Sequence, residues 1–378
     1  MTERASPQPW TVPRPVIPAS EAPADAFGSH RTLEPRGALP QPAERVDNDF
    51  SRLFGGEMLI GVETLNVDAA SFRQMEEAAP KGEDVGEAVA RAVERTVWQR
   101  GKQHNPVTGS GGMLLGRVLQ LAAGRAADEA TVGDRIATLV SLSLTPLRID
   151  RVKAVRPASA QIDIEGEAVL FASGAYAKVP TDLPQRLSLA VLDVAGAAPQ
   201  VARLVRRFAS SPHGGARGAS VLVLGGGGKS GILCCAEARR TGGASARILG
   251  VESHGPFAEN LRALGLCDVV LHEDARDPVA LRRAVLAAND GREVDVSLSC
   301  VNVPDVEMSA ILATRDGGVC YFFAMSTSFT KAALGAEGVG KDVELVIGNG
   351  YAKGHAAHSL ELIRAMPNVR ALFEARYG

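Results

Sequence analysis

The run Val221-Leu-Val-Leu-Gly225-Gly-Gly-Gly-Lys-Ser-Gly231-Ile-Leu constrains the fold more than any other stretch of the chain. An apolar strand-like segment meets a glycine turn and passes into an apolar helix. Gly226-x-Gly228-x-x-Gly231 has the spacing of a dinucleotide fingerprint. Its glycines permit a tight turn, close approach of backbone to pyrophosphate, and close packing of helix on strand. A second register, with Gly225 and Gly227 first and Ser230 third, fits equally well. In either register the pyrophosphate would rest on free amides at the helix start, where Lys229 stands and the helix dipole favours an anion. The next strand-like run, Ile248-Leu-Gly-Val-Glu252, ends in an acid 26 residues after Gly226. A carboxylate there accepts ribose hydroxyls and repels a 2′-phosphate, so NAD is expected over NADP. A phosphate-binding P-loop does not fit, because Val223 stands where its first glycine belongs.

Two periodicities divide the chain. From 191 to 378, strand-like runs alternate with helix-like ones: Val221–Leu224, Arg247–Val251, Val269–Leu271, Val294–Cys300, Val319–Phe323 and Val343–Ile347, with helices near Gly231–Arg240, Pro256–Leu264 and Pro278–Ala288. Apolar strands joined by helical crossovers predict a parallel sheet covered on both faces. Residues 28–190 are turn-rich, with strands expected near Glu57–Asn66, Gly112–Ala122, Arg135–Leu142 and Glu167–Phe171. One helix is expected over Gly82–Arg100, its apolar face carried by Val85, Val89, Val93 and Val97. Residues 1–27 hold six prolines and no apolar period, which predicts a disordered lead-in.

Bulk properties exclude several function classes. At 378 residues the chain is long enough for two domains with full cores. A net charge of −2 gives no electrostatic case for nucleic acid or an anionic membrane. No apolar run reaches the ~18 residues of a membrane span, and no signal pattern opens the chain, so a cytoplasmic location is expected. The five cysteines, Cys234, Cys235, Cys267, Cys300 and Cys320, read as buried thiols.

Several longer runs carry a family resemblance. Asn105-Pro-Val-Thr-Gly109-Ser-Gly-Gly112, followed by Thr131-Val-Gly-Asp134, resembles the GroES-like domain of medium-chain dehydrogenases. Val294-Asp-Val, Cys300-Val-Asn302 and Asp316-Gly-Gly-Val319 resemble strands of their nucleotide domain. Leu39–Pro42, Asn66–Phe72, Thr138–Pro146, Gly225–Cys235 and Ser328–Asp342 resemble, more narrowly, the family of L-erythro-3,5-diaminohexanoate dehydrogenases. The likeness covers roughly 28–375. It implies an α/β protein with a GroES-like β-rich domain over 28–190 and a Rossmann, doubly wound parallel-sheet domain over 191–378. It also implies NAD-dependent oxidative deamination of the diamino acid in lysine fermentation, and a homodimer by analogy of fold.

In zinc-dependent members of the fold, ligands stand where this chain has Leu65, Ser110-Gly111 and Asp193, so no catalytic metal is expected. His104, His355 and His358 could be called ligands, but His355 and His358 alone make no recognised zinc spacing, and exposed helical histidines are expected instead. Cys234 and Cys235, behind the glycine loop, are expected to pack rather than react.

Amine oxidation needs a proton acceptor and a dry cleft between the two domains. Asp68, Asp193 and Ser110 are the candidates for proton transfer and for holding a water. Asp68 equally suits a helix cap, and Asp193 a buried structural role. Glu76 and Glu77 are candidates for the distal ammonium, against the alternative of a solvated helix face. Lys331 and Glu337, in an expected connection after the fifth strand, are candidates for the substrate carboxylate and an ammonium, against a surface ion pair. Asn302 is a candidate contact to nicotinamide or its ribose. Two other functions fit the same motifs: a zinc-free NADPH-dependent reductase of enones or quinones, and a non-catalytic dinucleotide-binding regulator.

Overall fold

A computed structural model describes residues 15–105, 109, 111–125, 130–209, 218–348 and 350–377. The chain forms two compact units, Met1–Asp182 and Leu183–Gly378. The division falls eight residues before the expected 190/191 boundary. The reason is α3 (Gln185–Leu192), whose residues from Leu187 onward are buried and pack within the second unit.

In the first unit, a short ribbon pairs β1 (Thr32–Glu34) with β2 (Arg45–Val46). The main sheet is six-stranded and antiparallel, in the order β6-β7-β3-β4-β5-β8. Its strands are β3 (Met58–Asn66), β4 (Met113–Leu121), β5 (Arg135–Thr138), β6 (Leu147–Arg156), β7 (Gln161–Leu170) and β8 (Tyr176–Lys178). Two helices, α1 (Ala69–Glu77) and α2 (Val85–Arg100), lie between β3 and β4 in sequence. Val89, Val93 and Val97 of α2 enter one core with Ile60 and Val62 of β3 and Phe72 of α1. Val85, expected on the same face, lies in the first turn and is largely exposed. The strand expected over Arg135–Leu142 stops at Thr138, because Ser141 caps a 3-10 turn at Leu142–Leu144.

The lead-in departs from expectation. Residues 1–14 lie outside the described residues, but from Ile17 onward the chain is fastened to the first unit. The Ile17 amide donates to Gln120 Oε1 at 2.9 Å, and Gln120 Nε2 returns to the Ile17 carbonyl at 2.8 Å. Ala19 forms a parallel bridge with Leu53. Proline lacks a donor, yet Pro18 still offers the carbonyl that accepts from the Leu53 amide.

Behind this segment lies a buried ion pair. Arg31 is 0% exposed and Glu57 1% exposed. Arg31 Nε and Nη2 grip the Glu57 carboxylate at 2.6 and 2.8 Å, and its remaining donors reach the carbonyls of Asp49 and Arg52. Burial pushes the Glu57 pKa up, but bonding to Arg31 and His30 overrides it and holds the group below its ordinary 4.5.

In the second unit, β9 (Ser220–Leu224), β10 (Arg247–Val251), β11 (Val269–Leu271), β12 (Val294–Ser299), β13 (Thr314–Phe322) and β14 (Val343–Ile347) form one parallel sheet. Its order, β11-β10-β9-β12-β13-β14, is that of a Rossmann domain, with the switch point between β9 and β12. Helices α4 (Ala197–Ala209), α5 (Lys229–Gly242), α6 (Gly255–Leu264), α7 (Pro278–Ala288), α8 (Glu307–Ala313), α9 (Phe329–Gly338), α10 (His355–Ala365) and α11 (Pro367–Tyr377) complete the unit. Leu222, Leu249 and Cys320 meet Leu281, Ala310 and Ala332 in one core cluster.

Removing one partner of a buried pair strands the other charge. Arg31→Ala should lower unfolding free energy by about 3–5 kcal/mol in urea titrations at pH 7. Because the Glu57 pKa is depressed, this stabilisation is present at neutral pH and is lost as pH falls through the lowered pKa. A variant as stable as the parent at pH 7 would contradict the role given to the pair.

Candidate functional site

The turn after β9 is shaped by the glycines around Gly225, which adopts φ 73°. The amides of Gly225 and Gly226 both donate to the Val251 carbonyl at 2.9 Å, tying the turn to the end of β10. Helix α5 starts at Lys229 with Gly228 as N-cap, and no side chain caps it. Its first-turn amides therefore face outward without a side-chain acceptor, as an anion site requires. A Cβ on Gly231 would lie 2.0 Å from the Gly225 carbonyl oxygen, so only glycine lets α5 pack this close. Gly231 thus serves as the third, packing glycine, which favours the register Gly226, Gly228, Gly231 over the one that places Ser230 third.

Glu252 ends at the same turn, 9% exposed. Its Oε2 accepts from the Gly227 amide at 3.2 Å and its Oε1 from the His254 amide at 3.0 Å. Each oxygen keeps a further lone pair for a ribose hydroxyl. A Cβ on Gly227 would fall 2.9 Å from that carboxylate, so the glycine leaves it room. The bare helix start and the acid together fit the pyrophosphate and adenosine ribose of a dinucleotide.

Lys229 Nζ donates to Asp193 at 2.7 Å and lies 5.4 Å from the Tyr377 ring centre. Burial pulls the Lys229 pKa down, but Asp193 outweighs it and the net direction is up. The ammonium at the helix start is therefore held charged. Asp193, expected where a metal ligand would stand, is instead the counter-ion of the glycine-loop lysine.

The remaining expected residues are more dispersed. Asp68 caps α1, accepting from the Ser71 amide at 2.9 Å and from Ser71 Oγ at 2.5 Å. Ser110 lies outside the described residues. Glu76 is half-buried and Glu77 exposed, both on α1. Lys331 and Glu337 are not in an irregular connection, because Ser328 caps a helix there and both stand exposed on α9. Lys331 is ion-paired with Asp305. Asn302 is exposed, three residues beyond the end of β12.

The histidines and thiols sort by packing. His355, expected exposed, is 4% exposed against Tyr351, and burial lowers its pKa. His358 is half-buried and meets Glu237 at 3.0 Å. Among the described residues no three His, Cys, Asp or Glu side chains are grouped to hold a metal ion. Cys234 and Cys235 are buried, 3.6 Å from Cys300 and 3.5 Å from Cys267. The neighbouring thiols and burial push both well above the ordinary thiol range.

One contributor had no motif to announce it. Arg376 of α11 donates to the Gly227 carbonyl at 2.7 Å, and its guanidinium lies 4.3 Å from the Phe257 ring centre. Its Nη2 is buried without a partner among the described residues. An arginine about 150 positions from the loop becomes visible only once α11 is folded against it.

This geometry defines a dehydrogenase of the medium-chain fold, a GroES-like antiparallel unit followed by a Rossmann unit that takes a nicotinamide dinucleotide. A solved alcohol dehydrogenase of Thermotoga maritima matches the fold at TM-score 0.51 and 14% identity, over 85% of each chain. Residues 30–180 match the model of the L-erythro-3,5-diaminohexanoate dehydrogenase N-terminal domain. The L-erythro-3,5-diaminohexanoate dehydrogenase of Acetoanaerobium sticklandii is 49% identical over 93% of this chain and 98% of its own. That of Fusobacterium nucleatum is 47% identical over the same shares. The chain belongs to the L-erythro-3,5-diaminohexanoate dehydrogenase family.

Overpacking at the loop gives a direct test. Gly231→Ala must push α5 away from Gly225, at a cost of about 1–3 kcal/mol. Fluorescence titration with NADH should show affinity falling at least ~10-fold, the ratio that 1.4 kcal/mol sets. Unchanged affinity would mean the packing glycine has been misplaced.

Proposed function

We propose that the protein oxidatively deaminates L-erythro-3,5-diaminohexanoate with NAD, releasing 5-amino-3-oxohexanoate and ammonia, as a step of lysine fermentation. Family membership supports the substrate. The observation that carries the coenzyme choice is Glu252, buried at the end of β10 with its carboxylate turned to the glycine loop. When bound, the nicotinamide supplies the acceptor for the hydride from C3. The α5 amides bind the pyrophosphate, with Lys229 as fixed positive charge and Asp193 as the group that positions it. Arg376 helps to hold the loop through its bond to the Gly227 carbonyl.

Only the free 3-amine expels hydride, so the ammonium must first lose a proton to the protein. We place that proton on Asp68, the N-cap of α1, whose two oxygens also accept from the Ser71 amide and hydroxyl. Water then adds to the iminium carbon, and ammonia leaves as the ketone forms. Ser110, Glu76, Glu77, Lys331, Glu337 and Asn302 remain proposed substrate or nicotinamide contacts. No step in this scheme needs a metal. We also propose a homodimer, because the outer edge of β14 is unpaired among the described residues and carries exposed Ile347.

Two measurements check this reading. The parent enzyme should show a kcat/KM for NAD at least ~100-fold above that for NADP, since a 2′-phosphate would meet the Glu252 carboxylate at a cost of several kcal/mol. Equal use of NADP would favour the reductase alternative. Asp68→Asn keeps a good helix cap and removes the proton acceptor. Its kcat should fall by about 10²–10⁴ with NAD binding intact, and should recover in part as pH rises. A near-parental kcat would place the acceptor elsewhere.

A further inference from the structure

Asp68 stands half-buried at the start of α1, and the side chains that hold it are buried behind it. Ser71 is 3% exposed and Asn105 4% exposed. Ser71 serves Asp68 twice: its amide donates to Oδ1 at 2.9 Å and its hydroxyl to Oδ2 at 2.5 Å. The first bond is a helix cap, which the backbone gives whatever side chain stands there. The second needs a hydroxyl, whose single hydrogen is free to rotate. Asn105 takes that freedom away. Its Nδ2 only donates and lies 2.8 Å from Ser71 Oγ, so the Ser71 oxygen accepts there and its own hydrogen turns to Asp68. The same Nδ2 gives its other hydrogen to Gln74 Oε1 at 3.0 Å. Asn105 is itself held in place. It ends the segment that follows α2, where buried Lys102 donates to the carbonyls of Pro40 and Gln41.

We infer that Ser71 and Asn105 are positioning residues for the proton transfer, Asn105 aiming the Ser71 hydroxyl and that hydroxyl fixing the plane of the Asp68 carboxylate. The inference rests on the assignment of Asp68 as proton acceptor proposed above. A carboxylate held by one amide can turn about its Cβ–Cγ bond, whereas one held at both oxygens keeps its remaining lone pairs in fixed directions. Fixed direction matters because a small misplacement of a catalytic group costs rate steeply. In the step itself, an N–H bond of the 3-ammonium breaks and an O–H bond forms on Asp68. Ser71 keeps its own hydrogen throughout, since Asn105 occupies its accepting side.

The test measures kcat, KM and the pH profile of kcat with NAD and L-erythro-3,5-diaminohexanoate. It compares the parent, Ser71→Ala, Asn105→Asp, and both substitutions in an Asp68→Asn background. Ser71→Ala keeps the amide cap and removes the hydroxyl. Asn105→Asp keeps shape but turns the donor into an acceptor, which draws the Ser71 hydrogen away from Asp68. Each should lower kcat at least ~10-fold, the scale of one charged hydrogen bond, with the KM for NAD unchanged. In Ser71→Ala the acid limb of the profile should move to higher pH, because a carboxylate that loses a donor is protonated more readily. Glu83, Arg91, Arg95 and His104 line the same hollow as Ser71 and Asn105 and are untouched in Ser71→Ala, so the limb reports the hydroxyl. In the Asp68→Asn background neither substitution should lower kcat further. A parental kcat with an unmoved limb in Ser71→Ala would overturn the inference, and so would an equal fall in the Asp68→Asn background. Ser71→Ala decides the matter alone where Asn105→Asp fails to fold. A parental kcat in Asp68→Asn by itself would instead remove Asp68 as the acceptor, and this inference with it.

Discussion

The dinucleotide site depends on one close approach, α5 packed against the Gly225 carbonyl where a Cβ on Gly231 would stand at 2.0 Å. That approach sets the start of α5 beside the turn, and the turn is in turn hydrogen-bonded to the end of β10. The helix start, Lys229 and Glu252 are thereby brought together at one turn. Glu252 completes it by accepting from the Gly227 amide. A carboxylate that helps hold the loop together is also the group proposed to discriminate between coenzymes.

Charge in this chain is placed in compensated groups. Lys229 is answered by Asp193, and Arg31 by Glu57. Burial acts against the charged forms of Lys229 and Glu57, and in each pair the partner outweighs it.

Much of the second unit was legible in sequence because its strands are continuous apolar runs and its turns are glycine-marked. Arg247–Val251, Val269–Leu271 and Val343–Ile347 fall where the periodicity puts them. The glycine turn was legible where backbone geometry dictates residue type, at Gly225 and Gly231. The site was not legible where side chains arrive from distant segments. Arg376 reaches the loop through the packing of α11, and Lys229 selects Asp193 through the position of α3. The glycine register was ambiguous by spacing and is decided by steric contact at Gly231. Lys331 and Glu337 looked loop-like because Gly335 and Gly338 interrupt the segment, yet Ser328 caps a helix through them. Ile17 and Ala19 looked disordered because proline hides the pairing its neighbours make with Leu53 and Gln120.

The central claim is that this chain removes hydride from the carbon bearing the 3-amino group and passes it to NAD. The most direct test uses diaminohexanoate carrying deuterium at C3, with the isotope followed in the reduced coenzyme by mass spectrometry and ammonia measured in the same sample. The account predicts one deuterium in each NADH and one ammonia released with it. Unlabelled NADH, or reduction without ammonia, would contradict it.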